Sequence, residues 1–418
     1  MLCPMERPDR DTIFHHSYGE SVSHRHVLYL PGYDPMMPRR YRELYRTEGL
    51  KQAKISGYDL KIEGQTGQEN YTWLVETQIE GQHTKARIEF LLWNDIVQAS
   101  MNQSLLTTYI LMLRTAWVYI STGVLWHLFR LRPTPIIPAL YPVLMLTLYF
   151  IVGALLGWAA NMGLSLFLPW PVGWIAGAAI FCGVLMVMRH YDLKLFAFFL
   201  MHDYAFSAVA RGATPNELVM REKQFVARLR EVLESDVDEV LIVGHSSGAH
   251  VAVEVIADLI RTGGLEGVTP KLAFLSLGGV IPMISFLPEA KTLRRDLHEI
   301  CQNPDITWID VSAPGDGSSF ALADPVHVSG VAPDEQIKYW PKILSAAYSL
   351  SLSPELNQST KWLFFRRHFQ YLCCFDRPRG YDYFQITAGP KYLRDRYAER
   401  SSTTSRIEKV YSPYRDMI

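Results

Sequence analysis

The sequence predicts an α/β protein: a mostly parallel sheet with helices on both faces, interrupted by a two-helix transmembrane insertion. Three observations carry that expectation. Short apolar runs alternate with amphipathic helical stretches in the second half of the chain, as in strands joined by crossover helices. Two uncharged runs near the middle are each long enough to cross a bilayer. Finally, VDEVLIVGHSSGAHVAVEVIADLI, residues 237–260, passes from a buried-strand pattern straight into helical spacing, with a serine pair bracketed by glycines at the change.

Taken in order, residues 1–103 form the N-terminal part of the sheet domain. The start, MLCPMERPDR, is charged and proline-broken without an apolar stretch, so no cleaved signal peptide is expected. HVLYLPGYDP (26–35) reads as a buried strand ending in a Pro-Gly turn. YDLKIEG (58–64) and YTWLVETQIEG (71–81) alternate polar and apolar residues as a hairpin does, and ARIEFLLWND (86–95) supplies another strand.

Residues 104–210 are the expected membrane insertion, with spans at about 137–160 and 166–188, both free of charge. A hydrocarbon core about 30 Å thick takes roughly 20 helical residues. Trp158, Trp170 and Trp174 gather near the turn between the spans, as amphipathic rings do at a membrane interface. Pro169 and Pro171 suit the opening of the second helix. Arg130 and Arg132 precede the first span, Arg189 and Lys194 follow the second, and the turn has no positive residue. The positive-inside bias therefore gives a multi-pass protein of the inner membrane whose sheet domain faces the cytoplasm. The flanks 104–129 and 193–210 are apolar but carry Arg114, and Lys194, His202 and Asp203, and are expected along the headgroup region. If both sides build one sheet, the crossings are even in number; two is the expectation, and four remains open.

Residues 211–393 hold the C-terminal part of the sheet domain. A helix opens with Thr214 as N-cap and Pro215 at its first position. Then come VDEVLIVG as a strand, GAHVAVEVIADLIRTGG as a helix, KLAFLSLGGVIP as a strand, a helix around 287–302, and DITWIDVSAP as a strand. The tail, 394–418, is rich in Ser, Thr, Arg and Tyr and reads as loosely ordered.

Composition narrows the function classes. A net charge of −1 with no Lys/Arg cluster gives no sign of a nucleic-acid partner. The cysteines, Cys3, Cys182, Cys301, Cys373 and Cys374, are odd in number and lack metal spacing, which fits a reducing compartment better than a disulfide framework. No H-E-x-x-H, Cys/His cluster, Walker-type or G-x-G-x-x-G loop is present, so neither metal nor cofactor is expected.

Gly244-His245-Ser246-Ser247-Gly248 has the G-x-S-x-G spacing of a nucleophile elbow. The strand-to-helix turn is so sharp that the serine takes a strained backbone, and only small residues two before and two after it escape collision. On this motif and its strand–helix setting the chain resembles the α/β-hydrolase superfamily over most of 24–110 and 211–392. Members are serine esterases, lipases, thioesterases, peptidases and acyltransferases, and the resemblance implies the chain order nucleophile, acid, histidine.

A serine hydroxyl needs a base, and the base needs an orienting carboxylate. Asp316, in the Pro-Gly turn after ITWIDVSAP, is the favoured acid because ligands collect at the carboxyl ends of such sheets; Asp310 and Asp324 are weaker. His368 in FFRRHFQYL is the favoured base, since it follows the acid in the implied order. His327 comes too soon after Asp316, His250 points along the helix, and His245 is expected to face away from the hydroxyl. The oxyanion hole is expected from the Ser247 N–H and a second N–H at Gly32 or Tyr33, in LPGYDP rather than a His-Gly-Gly-Gly loop. The expected function is a membrane-anchored serine hydrolase cleaving an ester or thioester of an acyl or lipid substrate, next to membrane lipid. The alternatives are an acyltransferase using the same triad and a non-catalytic binding or scaffold protein.

Overall fold

The computed structural model describes residues 18–64 and 71–418, so the charged start and Cys3 lie outside the described residues. Among them, β1 (His24–Leu30), β2 (Asp59–Gly64), β3 (Thr72–Ile79), β4 (Gln82–Phe90), β5 (Glu239–His245), β6 (Lys271–Leu277), β7 (Ile306–Ser312) and β8 (Lys342–Ser345) build one sheet. Its order is β2-β3-β4-β1-β5-β6-β7-β8. Every pairing from β4 through β1 to β8 is parallel, whereas β2, β3 and β4 join antiparallel. The protein is thus α/β with a mostly parallel sheet. β5 and β7 bury all seven of their residues, which is why they read as apolar runs rather than alternating ones.

β1 lies directly beside β5, with Tyr29 opposite Val243 and Leu30 opposite Gly244. The two parts of the chain that flank the apolar insertion therefore share one sheet. β8 was not foreseen; four residues, KILS, are too few to show a period.

The helices that position the site are α1 (Arg39–Ser56), α2 (Leu105–Ser121), α3 (Val124–Leu131), α4 (Ile136–Ser165), α5 (Trp170–His190), α6 (Ala197–Ala208), α7 (Asn216–Leu233), α8 (Gly248–Arg261), α9 (Lys291–Ile300) and α10 (Phe364–His368). α8 packs against α7 and α9 and lies on β1, β5 and β6. α1 lies against β2 and touches Phe384 at Gly49.

α4 and α5 are long and apolar enough to cross a membrane, and the most apolar window of each is only 22% and 17% buried. Their backbones touch: a Cβ on Gly157 would lie 2.5 Å from the Gly177 carbonyl oxygen. Pro169 takes the N-cap of α5, which delays its start to Trp170. The apolar flank 104–129 is two helices, broken at Gly123, whose φ of 74° ends α2. In the other flank, the Asp192 carboxylate accepts from Phe198 and Phe199 N–H at 2.8 Å and opens α6. α6 packs against both α2 and α4.

Two expectations are corrected. Thr214 does not cap α7: its hydroxyl donates to the buried Glu254 carboxyl at 2.7 Å, and Pro215 is the N-cap rather than the first helical residue. The tail is not loosely ordered. The Arg394 guanidinium is buried against Thr307 Oγ1 at 3.0 Å, Ile407 N–H donates to Leu322 O, and Asp416 pairs at 3.0 Å with Arg294, whose side chain is fully enclosed. Polar composition read as solvation here, whereas these charges and backbone groups find partners inside the fold.

Ending the chain at residue 404 should lower the thermal midpoint by several degrees, because it strips the Ile407 bridge and leaves Arg294 without its carboxylate. A truncated chain that melts with the full-length one would show that the tail adds nothing to stability.

Candidate functional site

Ser246 sits where β5 turns into α8, with φ of 58°, a left-handed conformation costly for a non-glycine residue. The turn is held by a bond from Ser246 N–H to Leu277 O at 3.0 Å. Both flanking glycines are required by contact with backbone. A Cβ on Gly244 would lie 2.8 Å from Ala249 Cα, and one on Gly248 would lie 2.2 Å from Leu30 O. Ser246 is partly exposed between the buried His245 and Ser247.

His368 and Asp316 meet as the sequence proposed. The imidazole Nδ1–H donates to Asp316 Oδ2 at 2.9 Å. The same oxygen accepts from the Tyr371 hydroxyl at 3.0 Å, while Asp316 Oδ1 accepts from Ser318 N–H at 2.9 Å. Burial pushes the Asp316 carboxyl up, but the His368 charge, its hydrogen bond and the Ser318 N–H outweigh it and hold the group below its ordinary range. An ionised carboxylate keeps the proton on Nδ1 and leaves the Nε2 lone pair free to accept another.

His368 is also tied to the strand that leads into Ser246. His245 Nε2 lies 3.0 Å from the His368 carbonyl oxygen, and the two rings stand 4.8 Å apart. Burial and the His368 charge hold His245 down at about 3, so it stays neutral and donates to that carbonyl. The His245 ring is thus turned toward His368. A Cβ on Gly278 would lie 3.3 Å from His368 Cε1 and 3.2 Å from Asp316 Oδ2, which places all of these groups at the carboxyl ends of β5, β6 and β7. The Ser246 hydroxyl makes no hydrogen bond among the described residues, so its link to His368 is not closed in this structure.

Of the expected oxyanion donors, the Tyr33 N–H is engaged: it donates to Ser247 Oγ at 2.7 Å. The Ser247 and Gly32 N–H groups make no hydrogen bond among the described residues. Gly32 is pressed against the elbow, where an added Cβ would lie 3.0 Å from Ser246 Cβ.

The weaker candidates are occupied elsewhere. Asp310 accepts from Ser276 Oγ at 2.6 Å, and burial pushes it up to about 7. Asp324 caps the turn at Pro325–Val328 and pairs with Lys338 at 2.9 Å and His327 at 3.0 Å. His250 is buried and held by burial at about 4. Asp324, His327 and Glu408 gather ligand atoms within 4.8 Å, but the Lys338 ammonium already supplies the positive charge there.

α6 roofs the site. Phe199 and Phe206 lie 6.0 and 5.6 Å from the Tyr33 ring, and Phe365 of α10 meets Phe196 at 4.4 Å. Asp203, spaced to share the face of Phe199 and Phe206, is partly exposed. Burial raises its carboxyl to about 7 against the lowering charge of His368. Sequence reasoning missed Tyr371 and the supporting role of His245. For Asp203 it saw only a polar residue in an apolar stretch.

No family model, curated protein or solved structure matches this chain.

Between about pH 4 and 7 the folded chain holds an Asp203 proton that the unfolded chain has released, so stability falls as pH rises through that window. Asp203→Asn should therefore melt close to the parent at pH 4 and above it at pH 8. Equal midpoints at both pH values would remove Asp203 from the titrating set. Gly248→Ala should abolish soluble folded protein, given the Leu30 carbonyl in its path; a variant that folds and melts normally would refute that close approach.

Proposed function

We propose that the chain is a membrane-anchored serine hydrolase of the α/β-hydrolase type, cleaving an ester or thioester of an acyl or lipid substrate. What supports this reading is the buried Asp316–His368 hydrogen bond, at the same carboxyl end of the sheet where Ser246 holds a strained φ. Ser246 Oγ attacks the carbonyl while His368 Nε2 takes its proton. The Ser247 and Gly32 N–H groups receive the developing oxyanion. The tetrahedral intermediate collapses, the alcohol or thiol leaves with the proton from His368, and water repeats the sequence on the acyl-enzyme. Tightening of the serine–histidine bond on substrate binding is ordinary for such sites. An acceptor other than water would make the same groups an acyltransferase.

Anchoring rests on α4 and α5, whose apolar surfaces are left mostly uncovered. One sheet built from both flanks requires an even number of crossings, and the basic flanks favour the cytoplasmic side for the sheet. The open Ser246 hydroxyl is the one feature that favours a second reading, a non-catalytic binding module on the same scaffold.

A fluorophosphonate probe should label Ser246 in the parent and leave Ser246→Ala unlabelled. Asp316→Asn should retain the fold but lower esterase kcat by about 10⁴, the effect of losing the correct imidazole tautomer. Equal labelling of the parent and Ser246→Ala would sink the enzymatic reading.

A further inference from the structure

Trp362 and Leu363 are 74% and 54% exposed immediately before α10, the helix that ends in His368. An exposed tryptophan and leucine side by side are unusual at a loop tip, where polar residues and solvent normally meet. Their surroundings point to what covers them. The next residue, Phe364, lies against the acid loop: a Cβ on Gly317 would stand 2.8 Å from its ring and 3.7 Å from Thr134 Cγ2. Thr134 is two residues before α4. The tip before the base, the loop of the acid and the foot of the first apolar helix thus converge at one place. The exposed apolar surface of α4 begins there, with Ile137 at 61%. Lys361 holds its ammonium 5.4 Å from the Trp362 ring centroid, the pairing of an aromatic ring and a cation that suits a headgroup boundary.

We infer that Trp362 and Leu363 insert into the headgroup and acyl boundary of a phospholipid bilayer beside α4, a second membrane contact that ties α10 to the lipid surface. Continuity with the α4 surface is what selects lipid over a protein partner, and the inference rests on the membrane-anchored hydrolase reading above. The apolar pair keeps its place by burying hydrocarbon, and no covalent step is involved.

The test uses the full chain in phospholipid nanodiscs, with Cys3 and Cys182 replaced by alanine. An environment-sensitive fluorophore is placed at Trp362→Cys and, as a control, at the exposed edge-strand position Lys61→Cys. At 362 the emission should shift to the blue, be quenched by shallow nitroxide lipids and resist aqueous iodide; at 61 it should do the reverse. Iodide quenching at 362 equal to that at 61 overturns the inference, including the case in which a protein partner is the true occupant. In a second arm, Trp362→Ser with Leu363→Ser should raise KM for a long-chain ester carried in vesicles by about tenfold, while kcat/KM on a soluble short-chain ester stays within about twofold. Equal losses on both substrates would mean that the tip only braces α10, and would also overturn it. Absence of Ser246 labelling by a fluorophosphonate defeats the hydrolase reading separately, since the fluorescence arm does not depend on chemistry.

Discussion

The parallel pairing of β1 with β5 is the contact on which the rest of the molecule depends. It sets Leu30 opposite Gly244, so the chain leaving β1 through Pro31 and Gly32 runs against the turn that carries Ser246. Gly248 is pressed onto the Leu30 carbonyl so closely that no side chain fits. One backbone contact thus joins the two parts of the chain right beside the left-handed Ser246 and sets the loop at Gly32 against it. Fold and site share the same atoms at this point.

Around that contact the polar groups are arranged by charge. Asp316 is buried and yet ionised, because one oxygen receives both His368 and Tyr371 while the other receives a backbone N–H. His245 and His250 are buried with no carboxylate hydrogen-bonded to either ring among the described residues, and stay neutral. Of the imidazoles of His245, His250 and His368, only that of His368 is hydrogen-bonded to a carboxylate. His245 fixes the His368 carbonyl to the end of the strand that leads into Ser246.

Much of this was legible in the sequence. Strands that are buried on both sides read as continuous apolar runs, and seven of the eight had such a run or an alternating one. The glycines around Ser246 announced a turn without room for side chains; Asp316 stood out by its place after the carboxyl end of a strand, and His368 by the chain order that a family resemblance implies. What escaped had no local signal. β8 is too short to have a period. Tyr371 looks like any aromatic residue until its hydroxyl is seen on Asp316. The tail's polar composition suggests a solvated stretch of chain, but the partners of Arg394 and Asp416, Thr307 and Arg294, lie roughly a hundred residues upstream and cannot be read from spacing.

The β1–β5 pairing also imposes an order of assembly. A ribosome finishes β1 through β4 before it makes α4 and α5, and β5 emerges only after both. Until then one side of β1 is an open edge with unpaired N–H and C=O groups, a surface prone to pairing with the wrong chain. Closure of the sheet must therefore wait for the apolar hairpin to leave the translation machinery, and the nascent protein needs shelter for that edge in the interval.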